Sequence, residues 1–261
     1  MSPRVTPNLP VSKKWLVDGF CWYTKRMVAK HFTSFGVQIE RAQLDAIPDE
    51  APIIVFVNHP SWWDPITAML LREAYLPNRT FYAPIDSIAL EKYRIMAKLG
   101  FYGLRMKSLE GTSEFLSVTK LLLQAPNVSL WITPEAQFCD SRDYSQPLMP
   151  GLSHLATKIP SARFVPLALE YPFWNESRPQ IFARLGTPIW SEAPLSKSEW
   201  NERLTAGLRS AQRELSESVV SRDPSRFSYL IASRSVRLSW YDYGRSWNAW
   251  LRGKPFDPRH A

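Results

Sequence analysis

The sequence predicts an α/β fold with a central, largely parallel sheet flanked by helices. Short continuous apolar runs recur along the chain, as in Ile-Ile-Val-Phe-Val at 53–57. Longer stretches with helical periodicity alternate with these runs, and such alternation is typical of parallel sheets. A length of 261 residues and an apolar fraction of 45% support a sizeable core. Two cysteines argue against a disulfide framework and against a four-cysteine zinc site.

The elements follow in order along the chain. Ser12 is a candidate cap for a first helix that reaches about Phe32. A continuous apolar run bounded by Pro52 and Asn58 predicts a buried strand at 53–57. The remaining predictions are helices at 61–75, 87–99, 113–125, 151–158 and 196–219, and strands at 80–84, 128–133, 163–170 and 180–185. Pro166 limits the pairing of its strand.

The first helix is predicted to be basic and amphipathic. Its predicted apolar face consists of Leu16, Phe20, Tyr23, Met27 and His31. Tryptophans flank this face, and five lysine and arginine residues lie along the helix. Such a helix is typical of one that lies in a bilayer surface. The pattern is equally compatible with a helix packed on its own domain.

The charge is concentrated at the two ends of the chain. The net charge of +8 divides into +5 for residues 1–36, −2 for 37–221 and +5 for 222–261. We therefore predict an N-terminal membrane-associating segment at 1–36, a catalytic domain at 37–221 and a basic, Trp- and Arg-rich C-terminal extension at 222–261. Basic ends rich in aromatic residues indicate an anionic partner, either a membrane surface or nucleic acid.

The segment from Asn58 to Asp64 is the strongest chemical signal. His59 follows a buried strand, and Asp64 lies five residues later, where a helix is predicted to begin. Active sites of open α/β sheets lie at the carboxyl ends of strands. A histidine oriented there by a carboxylate is a candidate general base. The alternative is that Ser61 and Asp64 form a helix-capping box and that His59 is a loop residue.

Further segments extend this signal into a family resemblance over about residues 50–190. The matching segments are Asn58-His59-Pro60-Ser61-Trp62-Trp63-Asp64, Ile132-Thr133-Pro134-Glu135, Pro150–Ala156, Val165-Pro166-Leu167-Ala168 and Leu185–Ile189. In this order and spacing, they resemble the blocks of the glycerolipid (lysophospholipid) acyltransferase family, which includes 1-acylglycerol-3-phosphate acyltransferases.

The resemblance implies an O-acyltransferase that needs no cofactor or metal. His59 would take a proton from a hydroxyl of a lysophosphatidic acid-like acceptor, and Asp64 would orient His59. The acyl donor would be acyl-CoA or acyl carrier protein. The implied substrate-binding residues are Asn58, Arg105, Pro134, Glu135 and Pro166. The resemblance favours a membrane over nucleic acid as the anionic partner. With no signal peptide and no apolar run of about 18 residues, we expect a peripheral protein on the cytoplasmic face of a membrane.

Two departures bear on the acceptor. After Glu135, the Gly-Thr-Arg with which the family holds an acceptor phosphate is replaced by Ala136-Gln137-Phe138. The family's second block, G-x-x-F-x-x-R, corresponds here to residues 100–105, Gly-Phe-Tyr-Gly-Leu-Arg, in which Arg105 lies one position early. Arg105, Lys107 and Arg142 are candidate replacements for phosphate binding. A glycolipid or a carotenoid glycoside is therefore an alternative acceptor. The segment 110–113, Glu-Gly-Thr-Ser, copies letters of the family's third block, F-P-E-G-T-R, which Ile132-Thr133-Pro134-Glu135 matches. We interpret 110–113 as a loop and helix cap.

Rival functions have weaker signals. No pair of histidines has the spacing of metal ligands. Cys139 with His154 as its base is a conceivable nucleophile. A non-enzymatic protein that binds membranes or nucleic acid on an inactive acyltransferase fold is a further alternative.

Overall fold

The computed structural model describes residues 10, 12–105, 108–232, 247 and 252. In this part of the chain, eight strands form one sheet in the order β4-β3-β5-β2-β6-β7-β1-β8. The strands are β1 (Phe35–Gln38), β2 (Ile53–Val57), β3 (Thr80–Asp86), β4 (Phe101–Leu104), β5 (Val128–Ile132), β6 (Arg163–Glu170), β7 (Ile181–Leu185) and β8 (Ser228–Ile231). The helices are α1 (Lys14–His31), α2 (Arg41–Asp45), α3 (Asp64–Tyr75), α4 (Ser87–Lys92), α5 (Leu109–Leu122), α6 (Gly151–Lys158) and α7 (Lys197–Val220), with 3₁₀ turns at Arg94–Leu99 and Pro224–Arg226.

The five strands β4, β3, β5, β2 and β6 run parallel to one another. β7 is antiparallel to β6, β1 is parallel to β7, and β8 is antiparallel to β1. The predicted α/β fold with a largely parallel central sheet is confirmed. Because the five parallel strands share a direction, their carboxyl ends meet at one edge of the sheet, where ligands bind in open α/β folds.

Side chains of β2 alternate between two apolar layers, as the pleat of a strand requires. Ile53, Val55 and Val57 pack in the layer that contains residues of α1 and α3. Ile54 and Phe56 pack on the opposite face, in the layer that contains residues of α5, α6 and α7. All five side chains are buried. Burial on both faces explains why this strand is a continuous apolar run, and it fixes β2 in the middle of the fold.

Most predicted elements are present, and three of them, at 53–57, 151–158 and 163–170, have the predicted bounds. The predicted helix at 87–99 is instead divided into α4 and a 3₁₀ turn that ends at Gly100. Gly100 has a left-handed φ of 101°, and a Cβ there would lie 2.1 Å from the carbonyl oxygen of Phe81. β1, β4 and β8 were not predicted, because each has only four residues.

Three helix starts need correction. α3 begins at Asp64, three residues after the predicted start at 61. α1 begins after Lys13 and has no side-chain cap, so the predicted Ser12 cap is wrong. α5 begins at Leu109, and its cap is Ser108, whose Oγ accepts a hydrogen bond from Gly111 N at 2.9 Å. The segment 110–113 therefore lies inside the first turns of α5 and not in a loop.

The buried face of α1 is rotated from the predicted one. Val17, Cys21, Thr24 and Val28 are buried, whereas Leu16, Phe20 and Met27 are only partly buried, and Tyr23 and His31 are exposed. Apolar side chains cover more than half of this helix, so their spacing alone does not determine which of them meets α3. An ion pair of 2.8 Å between Lys25 and Glu73 joins the two helices.

The sheet extends beyond both ends of the predicted catalytic range of 37–221. β1 begins at Phe35, and β8 pairs with it after residue 221. Most of the predicted basic, aromatic C-terminal extension lies outside the described residues. After residue 232, the structure describes only Trp247 and Arg252. None of the helices in the described part of the chain has both the length and the apolar character to cross a membrane.

Candidate active site

His59 and Asp64 form a hydrogen-bonded pair at the carboxyl end of β2. Nδ1 of His59 lies 2.7 Å from Oδ2 of Asp64. A tight turn brings the two together, because the backbone N–H of Asp64 donates to the carbonyl oxygen of Ser61 at 3.1 Å and α3 begins there. The side chain of Asp64 is only 4% exposed, whereas that of His59 is 20% exposed. The imidazole is therefore the member of the pair that reaches solvent.

The carboxylate of Asp64 accepts further hydrogen bonds. Ser61 N donates to Oδ2 at 3.2 Å, and the hydroxyl of Tyr171 donates to Oδ1 at 2.7 Å. Burial raises the pKa of Asp64 above its ordinary 3.8, and the hydrogen bonds from His59 and Tyr171 oppose that rise. α3 begins after Trp63 with no side-chain cap, so the alternative of a Ser61–Asp64 capping box is wrong, although Ser61 N does bond Asp64. Ser61 Oγ accepts from Trp63 N instead.

Glu135 follows β5, the strand beside β2, and contacts the backbone of His59. Its Oε2 accepts a hydrogen bond from His59 N at 2.9 Å. Its Oε1 accepts one from Arg209 of α7 at 2.7 Å, and the two side chains of this ion pair are 1% and 4% exposed. Arg209 also donates to Gln212 and to the carbonyl oxygen of Gln146. Glu135 therefore connects α7 to the backbone of the candidate base.

The loop after Glu135 covers His59. Ala136 has a left-handed φ of 55°, and the ring of Phe138, which is 63% exposed, lies 4.3 Å from the imidazole between centroids. Cys139 N donates to the carbonyl oxygen of His59 at 3.0 Å. The backbone of His59 is thus bonded on both sides by the segment that follows β5, and Phe138 forms one wall beside the imidazole.

A family model described as Acyltransferase matches residues 38–170, which is just over half of the chain and includes His59, Asp64 and Glu135. The chain belongs to the acyltransferase family. It is an O-acyltransferase enzyme. Its fold is similar to the crystal structure of the 1-acyl-sn-glycerophosphate (LPA) acyltransferase PlsC from Thermotoga maritima, with a TM-score of 0.54, 15% sequence identity, and coverage of 78% of this chain and 80% of that one. No curated protein matches the sequence significantly.

Two predicted substrate-binding residues of the acyltransferase hold the framework of the site. Asn58 is buried, and its side-chain amide exchanges two hydrogen bonds, of 3.1 and 2.8 Å, with the backbone of Leu169. This exchange joins the ends of β2 and β6. Pro134 is buried, and its carbonyl oxygen accepts from Met149 N at 2.8 Å, which closes the loop between β5 and α6.

The other two are farther from His59. Pro166 lies inside β6, opposite Phe56, and its carbonyl oxygen accepts from Gly186 N at 2.9 Å. This register places it about 10 Å along the strand direction from His59. Arg105 follows β4, three strands from β2, which corresponds to about 14 Å. The structure brings together His59, Asp64 and Glu135, but neither Pro166 nor Arg105.

The candidate phosphate ligands are paired with carboxylates where the structure describes them. Arg105 lies 3.3 Å from Glu110 and 3.0 Å from Glu114. Arg142 contacts the buried Glu170 at 2.9 Å, and this bond raises the pKa of the guanidinium. Lys107 lies outside the described residues. An acceptor phosphate would compete with glutamates for these arginines.

The remaining rival chemistry finds little support in the geometry. Partial burial and the nearby Glu135 raise the pKa of Cys139, and its thiol contacts Gln137 O at 3.5 Å. A raised pKa disfavours the thiolate that a nucleophile needs. Within the described residues, no three His, Cys, Asp or Glu side chains are grouped to hold a metal ion.

Sequence reasoning missed Tyr171 and Arg209. Tyr171 directly follows the predicted strand 163–170, so its place at the functional edge of the sheet was a usable signal. Arg209 lies within a long polar helix, 74 residues after Glu135, and nothing in its local sequence indicates a buried ion pair.

Proposed function

We propose that this acyltransferase moves a fatty acyl group from a thioester donor, acyl-CoA or acyl carrier protein, to a hydroxyl of a lysophosphatidic acid-like acceptor. The observation that supports the proposal best is the 2.7 Å bond between His59 and Asp64 at the carboxyl ends of the parallel strands. The similarity of the fold to PlsC, an LPA acyltransferase, favours the same class of acceptor.

His59 is the proposed general base. The Asp64 carboxylate accepts a hydrogen bond from the Nδ1–H of His59, which leaves Nε2 as the basic nitrogen. Nε2 takes the proton of the acceptor hydroxyl as its oxygen attacks the thioester carbonyl carbon. The carbon–sulfur bond then breaks, and the thiolate leaves with the proton that the imidazolium returns. Asp64 stabilises the imidazolium while it exists. Glu135 holds the His59 backbone and takes no proton.

His59→Ala tests this proposal. We expect the rate of acyl transfer from acyl-CoA or acyl carrier protein to lysophosphatidic acid to fall by about 10²–10⁴-fold. His154→Ala is the matched control, because His154 lies on α6 and its loss should leave the rate unchanged. Retention of the wild-type rate by His59→Ala would contradict the proposed role of His59.

An acceptor without a phosphate beside its hydroxyl is the second candidate. Phe138 lies against the imidazole, and Arg142 is paired with Glu170. An exposed aromatic wall suits the apolar face of a sugar ring, as in a glycolipid or a carotenoid glycoside. An assay of the purified enzyme with lysophosphatidic acid and with such glycosides distinguishes the two. A phosphate acceptor predicts that Arg142→Ala raises KM for lysophosphatidic acid, whereas a glycoside acceptor predicts activity that depends on Phe138.

The outer face of α1 is the proposed membrane contact. Trp15 and Trp22 are exposed on the side opposite the buried residues, and the guanidinium of Arg26 lies 3.9 Å above the Trp22 ring. Tryptophan beside basic residues is typical of helices at anionic bilayer surfaces. The enzyme would then meet its lipid acceptor from the side of the membrane that holds acyl-CoA or acyl carrier protein.

Vesicle sedimentation tests this contact. We expect Trp15→Ala/Trp22→Ala to weaken binding to vesicles of phosphatidylglycerol and phosphatidylcholine by about tenfold or more. Trp190→Ala is the matched control, because Trp190 is also exposed and lies under a guanidinium, that of Arg163, at 5.4 Å. Arg163 is at the start of β6, away from the carboxyl ends of the parallel strands. Equal binding by both variants would contradict the assignment.

A further inference from the structure

The hydrogen bond from Tyr171 to Asp64 has no part in the mechanism above. Oδ2 of Asp64 already accepts from His59 and Ser61, so the Tyr171 hydroxyl, at 2.7 Å, supplies the donor to Oδ1. A buried carboxylate is costly without hydrogen bonds to both oxygens. Together with His59 and Ser61, Tyr171 therefore stabilises the charged form of Asp64.

The fold fixes the Tyr171 hydroxyl at this position. Tyr171 directly follows β6, and its ring lies 5.9 Å from that of Phe32 between centroids. Its hydroxyl also lies 3.1 Å from Oγ1 of Thr67, a fully buried residue one turn after Asp64 on α3. When Thr67 donates to Tyr171 and Tyr171 donates to Asp64, the hydrogen bonds form a chain that ends at His59. Such chains strengthen their members cooperatively.

The electrostatics agree with this direction of donation. Burial and the Asp64 charge raise the pKa of Tyr171 well above 10. The hydroxyl therefore keeps its proton at any pH at which the enzyme works, and it acts as a permanent donor toward the carboxylate.

We propose that Tyr171 is a positioning residue that acts through Asp64 to set the proton affinity and the orientation of the His59 imidazole. The proposal rests on His59 being the general base. Loss of the hydroxyl leaves the Asp64 charge less stabilised, so the His59–Asp64 pair binds a proton more tightly. The acid limb of the pH profile then moves to higher pH. KM changes little, because the hydroxyl is bonded to Asp64 and Thr67.

Tyr171→Phe tests the proposal, with Tyr102→Phe as the matched control. Tyr102 is buried and Tyr171 is partly buried. The Tyr102 hydroxyl bonds Thr119 at 2.7 Å, within the layer of α5 and α7. We expect the acid limb of kcat to shift upward by about one pH unit in Tyr171→Phe, which corresponds to a roughly tenfold lower kcat below that limb. KM for donor and acceptor should stay within about twofold. Tyr102→Phe should reproduce the wild-type profile even where its stability falls.

Two further measurements keep the outcomes distinct. Thr67→Val removes the donor to Tyr171, and we expect a smaller upward shift of the same sign. Nitrogen NMR of labelled imidazole measures the titration of His59 without turnover, and in Tyr171→Phe it should move to higher pH. An unchanged profile and an unchanged titration in Tyr171→Phe would overturn the inference. If His59→Ala is inactive in that case, the proposed base stands and only the role of Tyr171 fails. An active His59→Ala would overturn both.

Discussion

Replacing Arg209 by methionine is the most informative perturbation of the buried network. The side chains of Arg209 and Glu135 are almost fully buried, and their 2.7 Å contact neutralises the glutamate. Methionine keeps much of the apolar stem of arginine but provides no donor. Glu135 would then keep one hydrogen bond, from His59 N, and its charge would have no counter-ion.

The magnitude follows from that burial. Removing one partner of a buried ion pair costs about 3–5 kcal/mol, because an uncompensated charge stays in the interior. For a chain of this size, that cost corresponds to a fall in Tm of about 6–20 °C. Glu135→Gln removes the negative charge that Arg209→Met leaves unpaired. Arg209→Met/Glu135→Gln should therefore recover most of the free energy of unfolding that Arg209→Met loses. The double variant is expected to be more stable than Arg209→Met alone.

Urea unfolding of the wild type, the two single variants and the double variant measures the coupling. We expect the sum of the single losses to exceed the loss in the double variant by about 2 kcal/mol or more. Acyl transfer should fall in Arg209→Met even below its unfolding temperature, because Arg209 no longer holds in place the Glu135 carboxylate that accepts from His59 N. Additive losses, or a wild-type rate in Arg209→Met, would refute the idea that α7 holds the base through Glu135.

Three other perturbations have clear expected outcomes. Asp64→Asn should lower kcat/KM by about 10²–10⁴-fold, while calorimetry at neutral pH should give a Tm at least equal to that of the wild type. Burial raises the folded-state pKa of this carboxyl, so its charge destabilises the folded wild type at neutral pH. The stability that Asp64→Asn gains over the wild type is therefore complete above the raised pKa and disappears as the pH falls below about 3.8. A lower Tm than that of the wild type at neutral pH would contradict this. Gly100→Ala should cost about 1–3 kcal/mol in urea unfolding because of its left-handed φ, whereas Gly19→Ala, with no atom within 4 Å of its Cβ, should gain about 0.5–1 kcal/mol; equal effects would disprove the conformational reason. Cys139→Ala should keep the wild-type rate, and inactivity would revive a thiol nucleophile with His154 as its base.

The interior of the fold was the most predictable part. β2 is apolar on both faces because both are covered, and a run of five such residues has no other simple interpretation. β1 and β8 could not be found in this way. They lie at the edge beyond β7, four residues each, and their place depends on pairing with strands distant in the sequence.

The residues of the candidate site also differ in how far the sequence predicts them. His59 and Asp64 are five residues apart, so a single turn brings them together and a local pattern reveals them. Glu135 could be predicted because it follows a strand whose apolar sequence indicates burial. Arg209 reaches the site from the middle of α7, and its burial is decided by how that helix packs over the sheet. The role of Asn58 in substrate binding stays a prediction, and its bonds to the neighbouring backbone depend on the strand order β2-β6, which the local sequence does not show.

The crossing of α7 over the loop after β5 has a consequence for synthesis on the ribosome. A growing chain that has released β2 and β5 already holds His59, Asp64 and Glu135, but the guanidinium that neutralises Glu135 emerges 74 residues later. Until then, the unpaired carboxylate of Glu135 is more stable in water than buried beside His59. We therefore expect the candidate site to become competent only after α7 has folded, so that a chain truncated before Arg209 keeps the motif and lacks activity.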